Sequence, residues 1–131
     1  MIFLKITTLC ENHLYSKAYS KGKRAVSKAV AVHILPDYKA KALRKAHPEK
    51  ITVNRVGLTV SKKIGGAVER TRAKRIMRAA YRQIITENKV KTGFLIVMVA
   101  RPAIIGMKSN ELAKELKTNF DKLGMILGIY E

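Results

Sequence analysis

RVGLTVSKKIGGAVERTRAKRIMRAAYR, residues Arg55–Arg82, runs an alternating apolar strand through a glycine turn into a strongly basic helix. In the strand part, Val56, Leu58 and Val60 share one face, while Arg55, Gly57 and Thr59 share the other. In the helix part, Arg70, Arg72, Lys74, Arg75, Arg78 and Arg82 stand against the single acid Glu69. At about 100° per residue from Arg70, the other five cations fall between about 40° and 200°. Ala73, Ile76, Met77, Ala80 and Ile84 fall between about 240° and 340° on the same wheel. One face is therefore dry and the opposite face is cationic. Like charges at i,i+4 spacing repel, so the helix gains nothing from them alone. A polyanion is the simplest partner that turns this cost into binding.

The whole chain repeats that imbalance. Its 131 residues carry 27 Lys and Arg against 9 Asp and Glu, a formal net charge of +18. That is the electrostatic footprint of a nucleic-acid binder. At 47% hydrophobic residues the chain is no disordered basic tail, and its length fits one domain with a modest core. Cys10 is the only cysteine, which excludes an intrachain disulfide and a cysteine-rich zinc site and fits a reducing, cytoplasmic setting. The N-terminal MIFLKITTLC has Lys5 within its apolar run and does not read as a signal peptide. The longest apolar run, Gly93–Ala100, is far short of the ~20 residues that span a bilayer.

Outward from the central stretch, Glu11–Ser20 reads as a short helix closed by Gly22, with Leu14, Ala18 and the two tyrosines along one side. Val26–Leu35 reads as one half-buried strand. Val26, Val30, Val32 and Ile34 share its core face, and Ser27, Ala29, Ala31 and His33 the other. Residues 36–54 form a long basic connection with a possible helical turn over Lys39–Ala46. Gly93–Ala100 is a central strand, apolar on both faces. Ser109–Leu123 is a closing amphipathic helix with Leu112, Leu116, Phe120 and Leu123 inward, and Ser109 offers a cap. The order is that of a single α+β domain, and Val53–Val60, the basic helix and Gly93–Ala100 make a β-α-β unit.

Three sites emerge. The basic helix is the first, since arginine's planar fork suits phosphate. Lys62 and Lys63 flank Gly65 and Gly66 at a strand-to-helix turn, where glycines serve either a close-approaching anion or an ordinary turn. The third is the uncovered strand face: Ser27, Ala29, Ala31, His33, Arg55, Gly57 and Thr59 floor a shallow groove if the helices cover the other side. Tyr15 and Tyr19, one helical turn apart, either edge this groove and stack on unpaired bases or cap the core. Catalytic groups are scarce. Lys50–Thr86 holds only Glu69 as an acid, and His13, His33 and His47 are scattered, so no catalytic residue is assigned.

The Arg55–Arg82 run resembles the signature of the bacterial ribonuclease P protein family: a strand ending in VSKK, a glycine loop, then an R-x-R-x-K-R helix. The stretch from Tyr15 through Tyr19 to Gly22 is similar to that family's paired aromatics followed by glycine. Val97–Pro102 resembles its late strand running into a basic-proline turn, and the likeness covers most of Leu14–Leu123. It implies a roughly four-stranded sheet with helices on one side and a left-handed crossover. It implies a protein that binds the catalytic RNA subunit and precursor tRNA, with hydrolysis of the 5′ leader carried out by the RNA and Mg²⁺ held mainly there. Lys62, Lys63, Arg70, Arg72, Lys74, Arg75, Arg78 and Arg82 are then the RNA-subunit contacts. Tyr15, Tyr19, Ser27, Ala29, Ala31, His33, Arg55 and Thr59 are the leader groove. Gly66 and Thr71 stand where the family usually has asparagines, and protein-side metal ligands stay unassigned. No DNA or membrane partner is expected. A ribosomal or RNA-assembly protein shares the basic helix without needing tyrosines beside a bare sheet face. A DNA-bending protein calls for a dimerising seam or minor-groove wedges, and neither is evident.

Overall fold

The computed structural model describes residues 7–8, 12–37 and 54–129. In chain order the strands are β1 (Thr7–Thr8), β2 (Lys23–Val26), β3 (Val30–Pro36), β4 (Arg55–Thr59), β5 (Asn88–Val90), β6 (Phe94–Ala100) and β7 (Ile126–Ile129). The helices are α1 (Asn12–Lys21), α2 (Ala67–Glu87) and α3 (Ser109–Lys122). The main sheet has the order β1-β4-β6-β3-β2, four strands extended by the two-residue β1. β6 pairs parallel to β4 and antiparallel to β3, so the fully apolar strand is central, as its sequence requires. β4, α2 and β6 form the β-α-β unit. β5 and β7 make a separate two-stranded ribbon.

The core lies between the sheet and two helices. Val30, Val32 and Ile34 of β3, Val56 of β4, and Ile96 and Met98 of β6 face it. They meet Ala73, Met77, Ala80, Tyr81 and Ile84 of α2 and Leu112, Ala113, Leu116 and Phe120 of α3. The Tyr81 and Phe120 rings meet edge to face, centroids 6.1 Å apart. The apolar stripes expected for both helices are the buried ones, with Tyr81 added, Ile76 only half-buried, and Leu123 half-buried as the residue that caps the end of α3. The α3 cap is Lys108 rather than Ser109, with no side-chain cap bond.

The one-sided arrangement holds for α2 and α3; α1 is the exception. Ala18 packs with Leu35, Leu95 and Val97 on the opposite face of the sheet, and Tyr15 packs against that cluster. Two glycines permit this approach. A Cβ on Gly57 would stand 2.4 Å from the Tyr15 hydroxyl oxygen, and one on Gly22 would stand 2.5 Å from the carbonyl oxygens of both Ala18 and Ile34. Gly22 thus lets α1 turn straight into β2.

The expected single strand Val26–Leu35 is instead a hairpin. β2 and β3 pair antiparallel with Val26 opposite Ala31, and residues 27–29 form the turn. The Ser27 N–H donates to the Val30 carbonyl at 2.9 Å. A reversal of the chain resets face parity, so Val26 joins the face of Ala31 and not that of Val30. Apart from Pro36, Asp37 and Asn54, the 36–54 connection lies outside the described residues, as do the turn expected at Lys39–Ala46, Cys10, His47 and the side chains of His13 and Leu14.

Candidate nucleic-acid interface

The cationic face of α2 forms as its spacing demands. Burying Ala73, Met77, Ala80 and Ile84 against the sheet turns Arg72, Lys74, Arg75, Arg78 and Arg82 to solvent, and all five are exposed. Arg70 is half-buried, and its Nε donates to the Gly66 carbonyl at 3.4 Å. No carboxylate pairs with any of these six among the described residues. Lys62 and Lys63 lie exposed on a single 3₁₀ turn, Lys62–Ile64, just ahead of the helix. They extend the basic surface beyond the α2 N-terminus.

The glycine pair at that corner has a structural explanation. Gly65 has φ +149°, and a Cβ there would lie 2.9 Å from the Glu69 Cβ. Glu69 therefore folds back over the turn, and glycine is needed for the close approach. Gly66 is the N-cap of α2 with no side-chain cap bond.

The groove lies on the α1 face beside that helix. Tyr19 is 41% exposed, and its hydroxyl is 2.9 Å from the Thr59 hydroxyl, across the sheet. Its ring meets His33 edge-on, with centroids 5.0 Å apart. Burial, and then the neighbouring Arg24, lowers the His33 pKa below its ordinary 6.5. Ala31 lies on the floor, and Tyr15 packs as much into the α1 cluster as toward the open side. The two tyrosines thus differ: Tyr15 packs against the Ala18 cluster, while Tyr19 stands more exposed at the groove edge, tied to Thr59 and His33.

Three expected groove residues sit elsewhere or are committed elsewhere. Ser27 and Ala29 belong to the hairpin turn, tied down by α3 and Arg101. Ala29 is fully buried, and its N–H donates to Glu115 Oε1 at 3.2 Å. Ser27 Oγ accepts from Asn119 Nδ2 at 3.2 Å, and the Ser27 carbonyl accepts from Arg101 Nη1 at 2.8 Å. Arg55 keeps its face but not its free charge: Nε and Nη2 donate to Asp37 at 2.7 and 3.0 Å, a bidentate pair with the carboxylate buried and the guanidinium half-buried.

Sequence reasoning missed Val26, Arg24 and Val99. By strand register they share the face of Ala31 and His33, and Val26 is 44% exposed. The signal was the Ser27-Lys28 step, polar residues that break an otherwise apolar run. It also missed the junction of the two sites. An open cavity of about 210 Å³ at the β4 edge is lined by Tyr15 and Leu58 together with Lys74, Arg78 and Tyr81 of α2. Tyr81 itself is held by the Asn54 side chain, and burial raises its pKa above 10.

No group of three His, Cys, Asp or Glu stands together among the described residues. A cage of clustered carboxylates for Mg²⁺ is therefore not formed among the described residues. Nor is any helix among those residues long and apolar enough to cross a membrane.

Comparison with known proteins agrees with this geometry. Residues 3–124 match the family model described as Ribonuclease P. The ribonuclease P protein component of Alkaliphilus oremlandii is 31% identical over 121 residues, covering 92% of this chain and 94% of that protein. That of Clostridium acetobutylicum is 27% identical over 124 residues, covering 95% and 94%. Among solved structures, the Staphylococcus aureus RNase P protein superposes with a TM-score of 0.71 at 21% identity, covering 92% of this chain and 98% of that one. The Thermotoga maritima RNase P protein gives 0.66 at 18% identity, covering 85% and 92%.

Proposed function

The chain belongs to the ribonuclease P protein family, and on that premise we propose how it serves the tRNA-processing ribonucleoprotein of which it is the protein component. The cationic face of α2, with Lys62 and Lys63, docks on the catalytic RNA subunit. The groove edged by Tyr19 holds the single-stranded 5′ leader of precursor tRNA. Hydrolysis, with its Mg²⁺, belongs to the RNA. The protein contributes phosphate neutralisation and positioning, which ease the crowding of charge around that centre.

The observation that carries this reading is the row of exposed, acid-free cations on one face of a rigid 21-residue helix. Unpaired like charges cost stability in the free protein, and counterion release on meeting phosphates offsets that cost. The ribosomal or assembly-factor reading is not favoured, because the family match spans nearly the whole chain.

The test is the salt dependence of binding to the RNA subunit. Each phosphate neutralised contributes roughly −0.7 to −0.9 to the slope of log affinity against log salt. Arg72→Ala, Arg75→Ala and Arg78→Ala together should flatten that slope by about two or more while thermal stability holds. A folded triple variant with the wild-type slope would sink the assignment.

A further inference from the structure

A second cationic pocket lies at the other end of the sheet and is used by neither site above. It has a volume of about 240 Å³, and its rim carries Lys21, Lys23 and Lys91, with Pro36, Phe94 and Leu123 among its apolar lining. Lys21 comes from α1, Lys23 from β2 and Lys91 from the β5–β6 connection, and each backbone position is held by hydrogen bonds. Lys21 ends α1 at the tight Gly22 corner, where the Gly22 N–H donates to the Ala18 carbonyl at 3.0 Å. Lys23 is held in the ladder opposite Ile34. Lys91 is clamped on both sides: its N–H donates to the Met125 carbonyl at 2.8 Å, and its carbonyl accepts from Asn54 Nδ2 at 2.7 Å. All three side chains are exposed, and none has a carboxylate partner among the described residues. The nearby acid Asp37 is already spent on Arg55.

The floor is of a different kind. Pro36 and Phe94 pair across β3 and β6 and are both half-buried, so each leaves apolar surface open to the pocket. Three cations around an apolar floor fit an amphipathic anion rather than bare phosphate. The volume falls below the roughly 300–1,000 Å³ of sites for drug-sized ligands, a size for one nucleoside. We propose that this pocket takes a single unpaired nucleotide extruded from an RNA strand, its base on Pro36 and Phe94 and its flanking phosphates on the three lysines. Stacking on a ring face and neutralising phosphate are the two usual sources of affinity for unpaired RNA.

The placement makes this a separate contact. Phe94 opens β6 and Val99, opposite Thr59, nearly closes it. At ~3.3 Å per residue those ends lie about 16 Å apart. Pro36 and Phe94 also share the face of Ile34 and Ile96, which α2 and α3 cover, so RNA engaging both the groove and this pocket must run the length of the sheet and pass round it to the other face. The inference rests on RNA being the partner, as family membership implies, but not on the role given to α2.

The experiment uses the full chain assembled with transcribed ribonuclease P RNA, substituted with 4-thiouridine in one preparation and 6-thioguanosine in another. After irradiation and digestion, an RNA adduct is expected on the peptide carrying Pro36 or Phe94. In the variant Lys21→Gln, Lys23→Gln, Lys91→Gln that adduct should fall at least tenfold, and the salt slope should flatten by about one to two. A charge-matched control, Lys108→Gln, Lys114→Gln, Lys122→Gln, should keep the adduct and show the smaller slope change. Adducts confined to α2 and the groove would overturn the proposal, as would equal slopes for the two triples. Saturable binding of AMP without an RNA adduct would make this a small-molecule site and also overturn it. The α2 assignment fails on a different result, a wild-type slope in the Arg72, Arg75, Arg78 variant, so the two readings fall separately.

Discussion

At the scale of single residues, Tyr19 and His33 carry the groove's most testable chemistry. Tyr19 is the exposed aromatic, while Tyr15 is half committed to the Ala18–Leu35–Leu95–Val97 cluster. Stacking an unpaired base is worth ~1–3 kcal/mol by alanine substitution. Tyr19→Ala should therefore weaken binding of a long-leader precursor by that amount and leave mature tRNA nearly unaffected. Titrations of both RNAs decide it, and equal losses for the two would remove the leader from the groove. His33 gives a pH signature. Its pKa is lowered in the folded protein by burial and Arg24, so the unfolded chain binds the proton more readily. Stability is then full above the unfolded value of about 6.5 and declines as pH falls from there toward the lowered value. Urea midpoints between pH 5 and 8 should show this decline in the wild type and a shallower one in His33→Gln.

At the scale of elements, the β2–β3 hairpin shows how a helix decides what a turn becomes. Glu115 reaches from α3 to the buried Ala29 N–H, and Asn119 reaches to Ser27. A buried donor left without a partner costs about 1–3 kcal/mol. Glu115→Ala should lose stability in that range, whereas Glu115→Gln should lose little, because its amide oxygen accepts the same bond. Chemical denaturation of the two variants separates them. Equal losses would mean that the charge of Glu115, rather than its hydrogen bond, holds the turn. The ribbon of β5 and β7 is likewise a product of position: Asn88 follows α2 directly, and its Nδ2 donates to the Ile84 carbonyl at 3.1 Å, closing the helix end.

At the scale of the molecule, the proposed role is that of a scaffold that neutralises phosphate, and it makes a prediction about the chemical step. Glu69, the one acid in the basic stretch, is folded against Gly65 and Gly66. Glu69→Gln should leave single-turnover cleavage by the saturated holoenzyme within about tenfold, since removing a true general acid or base costs 10²–10⁴. A thousandfold loss with RNA binding intact would instead make it a catalytic group. The sequence by itself determined the two faces of α2, the inward stripe of α3 and the central place of β6. Those patterns repeat every two to four residues and need no distant partner to be read. Only the tertiary structure decided which side α1 takes, because that depends on how closely Gly57 and Gly22 let it approach. It alone turned Val26 into the groove and Ser27 and Ala29 out of it, since a hairpin reverses the parity that alternation assumes. Likewise it alone bound Arg55 to Asp37 and gathered Lys21, Lys23 and Lys91 around one pocket. Charge pairing and convergence across 18 to 70 positions arise from register and packing, which no local spacing encodes.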